Sequence, residues 1–94
     1  MVISNEPGYY KEGAYGIRIE NLVAVQVSKV GGGNYLDFET LTLCPIDLRL
    51  VEPKLLTEAE RDWLNAYHKR VLREIGPAVT GEVKAWLKQA TRAI

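Results

Sequence analysis

The sequence has one cysteine, Cys44, and one histidine, His68. A lone cysteine excludes an internal disulfide framework and fits a reducing compartment, so a cytoplasmic location is expected. Charge of neither sign predominates: twelve Lys and Arg stand against twelve Asp and Glu. No net field therefore favours nucleic acid or an anionic membrane, and neither is expected as a partner. No apolar run approaches the roughly 20 residues that span a bilayer, and the N-terminus lacks a basic region followed by an apolar stretch, so a soluble chain is expected. With 94 residues the chain is one small domain at most. A chain of that size buries only about 60–65% of the surface its unfolded form exposes.

What is present begins with Ser4-Asn5-Glu6-Pro7-Gly8-Tyr9-Tyr10, followed by Gly13 and then Gly16-Ile17-Arg18-Ile19-Glu20-Asn21-Leu22. Two carboxylates, Glu6 and Glu20, flank a glycine-punctuated connection beside an apolar strand. Val2-Ile3 leads into Glu6 as an extended run that Pro7-Gly8 is expected to end, since proline removes a donor and glycine accepts positive φ. Side chains alternate along a strand, so Arg18 and Glu20 share one face while Ile17 and Ile19 take the other. An ionised carboxylate buried alone would cost several kcal/mol or take up a proton. Its partner is Arg18 or a lysine, a cluster of backbone donors, or a metal ion. Two glutamates by themselves are not a metal signature, which needs more ligands.

Further along, Ile17 to Val30 reads as a mostly buried central strand, rich in β-branched residues. Gly31-Gly32-Gly33-Asn34 then makes a hairpin connection to a return strand, Tyr35 to Leu43, and an antiparallel pair follows. No helix or Lys-Ser/Thr succeeds the glycines, which argues against a phosphate-cradling loop. Pro45 to Pro53 reads as irregular, with Cys44 as a small buried hydrophobe. Composition then shifts to Leu, Ala, Glu, Lys and Arg, the preferred helix formers. Thr57-Glu58-Ala59-Glu60 is a capping box, so a helix starts near Glu58. Trp63, Tyr67, Val71 and Ile75, with Leu64 and Leu72, form its apolar face, and Gly76-Pro77 ends it. Thr80 is expected to cap a second helix with Val83, Trp86, Leu87 and Ala90 on one side. His68 reads as a packed or surface side chain rather than a ligand, and Lys69, Arg70 and Arg73 as a solvated face. The fold class is α+β: a small antiparallel sheet followed by a helical hairpin.

The two glutamate segments, together with Phe38-Glu39-Thr40-Leu41-Thr42 and Trp63-Leu64-Asn65-Ala66-Tyr67-His68, resemble the closing part of the Xaa-Pro aminopeptidase (aminopeptidase P) catalytic domain and the tail of its longer, cytosolic members. The resemblance implies a pita-bread fold with residues 1–52 as the end of the catalytic domain and 53–94 as the helical tail. It implies a two-metal centre with Glu6 as terminal ligand to one ion and Glu20 bridging both, and Tyr10 and Arg18 positioning substrate or ligands nearby. Manganese is the metal such a carboxylate shell suits, with cobalt or zinc as substitutes. The implied reaction removes the N-terminal residue from peptides with proline second, and Glu6 is the group implied to accept the proton of the attacking water.

Two aspartates and a histidine complete the family's ligand set upstream of this motif, and Asp37, Asp47, Asp62 and His68 stand in the wrong contexts to replace them. The 94 residues alone are therefore expected to be catalytically inactive. They are also expected to expose apolar strand surface and to self-associate as a homo-oligomer. The competing reading is a non-enzymatic interaction module in which Glu6 and Glu20 pair with Arg18 and lysines.

Overall fold

The computed structural model describes all residues from Met1 to Ile94. It divides into two compact units, Met1–Thr42 and Leu43–Ile94. This division by packing lies ten positions before the expected end of the catalytic portion at residue 52, a boundary that refers to a larger domain.

The first unit is all β. Its strands are β1 (Val2–Asn5), β2 (Gly8–Lys11), β3 (Tyr15–Arg18), β4 (Asn21–Val27) and β5 (Leu36–Thr40). A three-stranded antiparallel sheet has the order β1-β4-β5, and β2 and β3 form a separate antiparallel pair. β1 ends at Asn5, just before Pro7-Gly8 as expected, and pairing resumes at Gly8 in β2. Asn5 faces Asn21 in one ladder and Gly8 faces Arg18 in the next, so the two ladders keep one register. Ile19 N–H donates to the Pro7 carbonyl at 3.1 Å, bridging the gap where proline offers no donor in return. Residues 2–11 and 15–24 thus make one long two-stranded ribbon, and the expected central strand from Ile17 to Val30 is instead β3 and β4. The connection expected from Lys11 to Gly16 shortens to Glu12-Gly13-Ala14, with Ala14 N–H donating to the Lys11 carbonyl at 3.1 Å.

The glycine hairpin forms as read. Gly31, Gly32 and Gly33 all take positive φ, a region that L side chains disfavour. Ser28 N–H donates to the Tyr35 carbonyl at 2.9 Å, closing the loop between β4 and β5. Alternation of side chains gives the sheet two unlike faces. Ile3, Val23, Val25, Val27, Leu36 and Phe38 share the apolar one by register. Of the apolar residues expected to be buried from Ile17 to Val30 only Val23 is, at 5% exposure, with Ala24 and Val25 half-buried and Ile17, Ile19 and Leu22 exposed; Leu36 and Phe38 on the return strand are exposed as well.

The second unit is helical, with α1 (Glu58–Ile75) and α2 (Gly81–Ala90). Leu48–Leu50 and Pro53–Leu55 are short 3-10 turns, each opened by a carboxylate, Asp47 or Glu52, that accepts a backbone N–H two residues on. At α1 the capping box is complete: Glu60 N–H donates to Thr57 Oγ1 at 3.1 Å and Thr57 N–H to Glu60 Oε1 at 2.9 Å. A 3-10 turn at Gly76–Ala78 separates the helices. Thr80 sits at the start of α2 as expected, but its side chain caps nothing.

Tyr67, Val71 and Leu87 form the buried core of this unit, with Leu43, Ile46, Leu72, Ile75 and Val79 packed around them. Several expectations change here. Trp63 is half exposed and stacks parallel to Tyr67, with centroids 5.2 Å apart. In α2 only Leu87 turns fully inward, while Val83 and Trp86 face out. Cys44 is exposed rather than buried, because its backbone, not its thiol, is what α1 engages. Cys44 N–H donates to the Tyr67 hydroxyl at 3.2 Å, and that hydroxyl donates to the Cys44 carbonyl at 3.0 Å.

Candidate functional site

Continuity of register through the ribbon determines where the two glutamates lie. With Asn5 opposite Asn21 and Gly8 opposite Arg18, Glu6 comes opposite Glu20 and Pro7 opposite Ile19. Ladder hydrogen bonds fall on the odd-numbered pairs, Val25 to Met1 and Ile19 to Pro7. The Glu6–Glu20 pair is therefore a non-hydrogen-bonded one, where facing Cα atoms approach to about 4.5 Å and side chains lie closest. Like charges opposed in this way repel unless a cation or donors offset them.

Each carboxylate has one such partner within the chain. Ser4 Oγ donates to Glu6 Oε2 at 2.9 Å. Arg18 Nε meets Glu20 Oε2 at 3.1 Å, both side chains being nearly half exposed. That ion pair realises one of the alternatives open in the sequence, and at this exposure it contributes little to stability.

The four residues singled out from the sequence, Glu6, Tyr10, Arg18 and Glu20, all fall on one face, since they occupy alternate positions of facing strands. Two participants were missed. Gly8 and Gly16 lie on the same face, and a Cβ built on Gly16 would meet Tyr10 Cδ1 at 2.7 Å, while one on Gly8 would meet the Tyr10 hydroxyl oxygen at 2.8 Å. The Tyr10 ring thus lies along the glycines. The signal was present in the even-numbered run Ser4, Glu6, Gly8, Tyr10 and its counterpart Gly16, Arg18, Glu20. What was lacking was the register that joins the runs.

His68 lies elsewhere, in the helical unit, fully buried, with Nε2 accepting from Ile46 N–H at 2.9 Å. It is a packed histidine, as read. No group of three or more His, Cys, Asp or Glu side chains gathers anywhere in the chain. The donors for a cation here are thus two carboxylates on one side of a ribbon, which fits part of a metal shell and not the whole of one. In the helical unit an open cleft of about 360 Å³ is lined by Pro45–Arg49 and by Trp86, Gln89, Ala90 and Arg92. Its one carboxylate, Asp47, is held down to a pKa of about 2, chiefly by the Arg49 side chain and then by the Arg49 backbone N–H.

The sequence model described as the C-terminal region of peptidase M24 matches residues 34–94. The chain belongs to this peptidase M24 family. A probable Xaa-Pro aminopeptidase P from Coprinopsis cinerea is 46% identical over 100 aligned positions, covering all of this chain and 16% of that protein. Aminopeptidase P2 of Arabidopsis thaliana is 44% identical, again over the whole chain and over 14% of its own length. Among solved structures, X-prolyl aminopeptidase from Caenorhabditis elegans, described as a cytosolic enzyme with a di-nuclear active site, matches with a TM-score of 0.85 and 40% identity. That match covers 99% of this chain and 16% of the other. The M24 chain therefore spans about a sixth of the length of the relatives it matches. The α+β architecture, with small antiparallel sheets before a helical region, agrees with that structure.

Proposed function

We propose that these residues form the closing segment of a dinuclear-metal Xaa-Pro aminopeptidase and supply two of its metal ligands, Glu6 and Glu20. The observation that carries this is the placement of both carboxylates opposite each other at one non-hydrogen-bonded position of the ribbon. Nothing else in the ribbon offers like charges so closely opposed. Glu6 and Glu20 are the residues of this chain that would hold the ions, Glu6 in a terminal role and Glu20 in a shared one. When bound, two divalent ions would supply a water of lowered pKa and polarise the scissile carbonyl. Carboxylate oxygens suit manganese, with cobalt or zinc as substitutes.

The chain's own residues then have separate tasks. Ser4 Oγ–H and Arg18 Nε each hold one carboxylate by a single oxygen, Oε2 in both cases, which leaves Oε1 of each glutamate for coordination. Glu6 also accepts the proton of the attacking water. Tyr10 presents a hydroxyl donor on the same face to position the substrate. That substrate is a peptide with proline second, cleaved before the proline. The cytosolic description of the Caenorhabditis elegans relative supports a cytoplasmic location, and no helix here is long and apolar enough to cross a membrane.

The test uses the full-length protein carrying these residues. Glu6→Gln and Glu20→Gln are expected to lower bound manganese below two per chain and to abolish Xaa-Pro cleavage. Full activity and full metal content in either variant would overturn the assignment.

A second reading has one observation in its favour. The apolar face carrying Leu36 and Phe38 is exposed, at 69% and 60%, which suits an interaction module that mediates homo-oligomerisation. Wild-type metal content without any peptidase activity in the full-length protein would favour it.

A further inference from the structure

We propose that Gly16 and Gly8 are positioning residues for the Tyr10 hydroxyl, a bed that directs the phenol along the carboxylate face toward the Glu6–Glu20 pair. The proposal rests on the aminopeptidase reading for its functional consequence, but not for its geometry.

Tyr10 faces Gly16 directly across the ribbon, and Gly8 faces Arg18 one same-face position further on. The next same-face position is Glu6 opposite Glu20. A Cβ on Gly16 would meet the near end of the ring, with Tyr10 Cδ1 at 2.7 Å and Cε1 at 3.1 Å. A Cβ on Gly8 would meet the far end, with the hydroxyl oxygen at 2.8 Å and Cζ at 3.0 Å. The ring therefore runs from the Gly16 position to the Gly8 position, and its hydroxyl ends one position short of the glutamates.

Neither glycine is there for its backbone. Positive φ occurs at Gly13, Gly31, Gly32, Gly33 and Gly81, and not at Gly8 or Gly16. In a strand of ordinary φ, alanine is the better residue, since glycine gives up more conformational freedom on folding. Space is what glycine supplies at both sites. Of the two, Gly16 is the cleaner probe, because a Cβ on Gly8 would also press on the Ile17 carbonyl at 3.0 Å.

A methyl group at position 16 would lift the near end of the ring and swing the hydroxyl away from the carboxylates. Misplacement of a reacting or orienting group by about 1 Å costs on the order of 100-fold in rate. In the full-length enzyme, Gly16→Ala is expected to lower kcat by roughly 10- to 100-fold on an Xaa-Pro dipeptide, with metal content unchanged. In a Tyr10→Ala background the same substitution is expected to lower kcat no further and to raise Tm, since there is no ring left to displace. A Gly16→Ala effect that persists undiminished without Tyr10, or no effect of Gly16→Ala on kcat, would overturn the proposal. Should the wild-type protein cleave no such peptide, the hydrolytic reading fails by itself. Ring placement is then read from the Gly16 Hα resonances, expected upfield in wild type and restored to ordinary values in Tyr10→Ala. Ordinary Gly16 shifts in the wild type would remove the bed altogether.

Discussion

His68 and Ile46 are joined by a 2.9 Å hydrogen bond in which the backbone N–H of Ile46 donates to Nε2. An imidazole that accepts at Nε2 is neutral and carries its proton on Nδ1, which is buried here without a partner. Burial, and then the Arg92 charge, push the His68 pKa below its ordinary value. The folded state therefore binds fewer protons than the unfolded chain as pH falls below about 6.5. The stability contribution is whole above the unfolded pKa and is lost as pH falls through the depressed folded one. Thermal melts from pH 7.5 down to pH 4.5 should show Tm of the helical unit falling with acid, and His68→Gln should flatten that dependence. A pH-independent wild-type Tm over this range would contradict it.

The Thr57–Glu60 capping box predicts a local effect of definite size. Thr57→Ala removes the acceptor for Glu60 N–H and should cost about 1 kcal/mol, with α1 fraying at its first turn. Glu60 has its pKa lowered by the Thr57 backbone N–H and then by the Thr57 side chain. Amide exchange at residues 58–61 is the measurement, and unchanged protection there would argue that packing alone holds the helix start.

The 94 residues in isolation should neither hold two manganese ions tightly nor cleave an Xaa-Pro dipeptide. Affinity depends on ligand number and on a preformed site, and two carboxylates, one of them already paired with Arg18, fall short. Calorimetric titration with manganese, and incubation with excess metal and dipeptide, check both halves. Measurable turnover would overturn the ligand argument.

The same isolated chain should self-associate at micromolar concentration. Ile17, Leu36 and Phe38 are exposed on strands, Ile19 is exposed between β3 and β4, and β1 and β5 are open edges of the three-stranded sheet. Sedimentation should give a mass above that of a monomer. A monomer at all concentrations would count against association through this face.

Much of the architecture was legible because it is encoded within a few residues. The Gly31–Gly33 hairpin, the Thr57 cap and the stop at Gly76-Pro77 each rest on local backbone chemistry, and each is found in place. Pro7-Gly8 was legible as the end of β1, but local punctuation does not reveal that pairing resumes past it in the same register. The apolar stripe of α2 was legible as periodicity, yet Val83 and Trp86 lie outside because periodicity does not say which part of a stripe a neighbour covers. Cys44 was misjudged for a related reason: Tyr67 grips its backbone and leaves its thiol outward.

By itself the sequence determined which residues are candidates for chemistry, that Arg18 and Glu20 share a face, and where the glycine hairpin and the helix starts fall, since all of these depend on spacing and side-chain type alone. Only the tertiary structure decided that Glu6 stands opposite Glu20, that Tyr10 lies on Gly8 and Gly16, and that His68 is buried against Ile46. Those are relations between segments distant along the chain, and strand register and packing, not composition, bring such segments together.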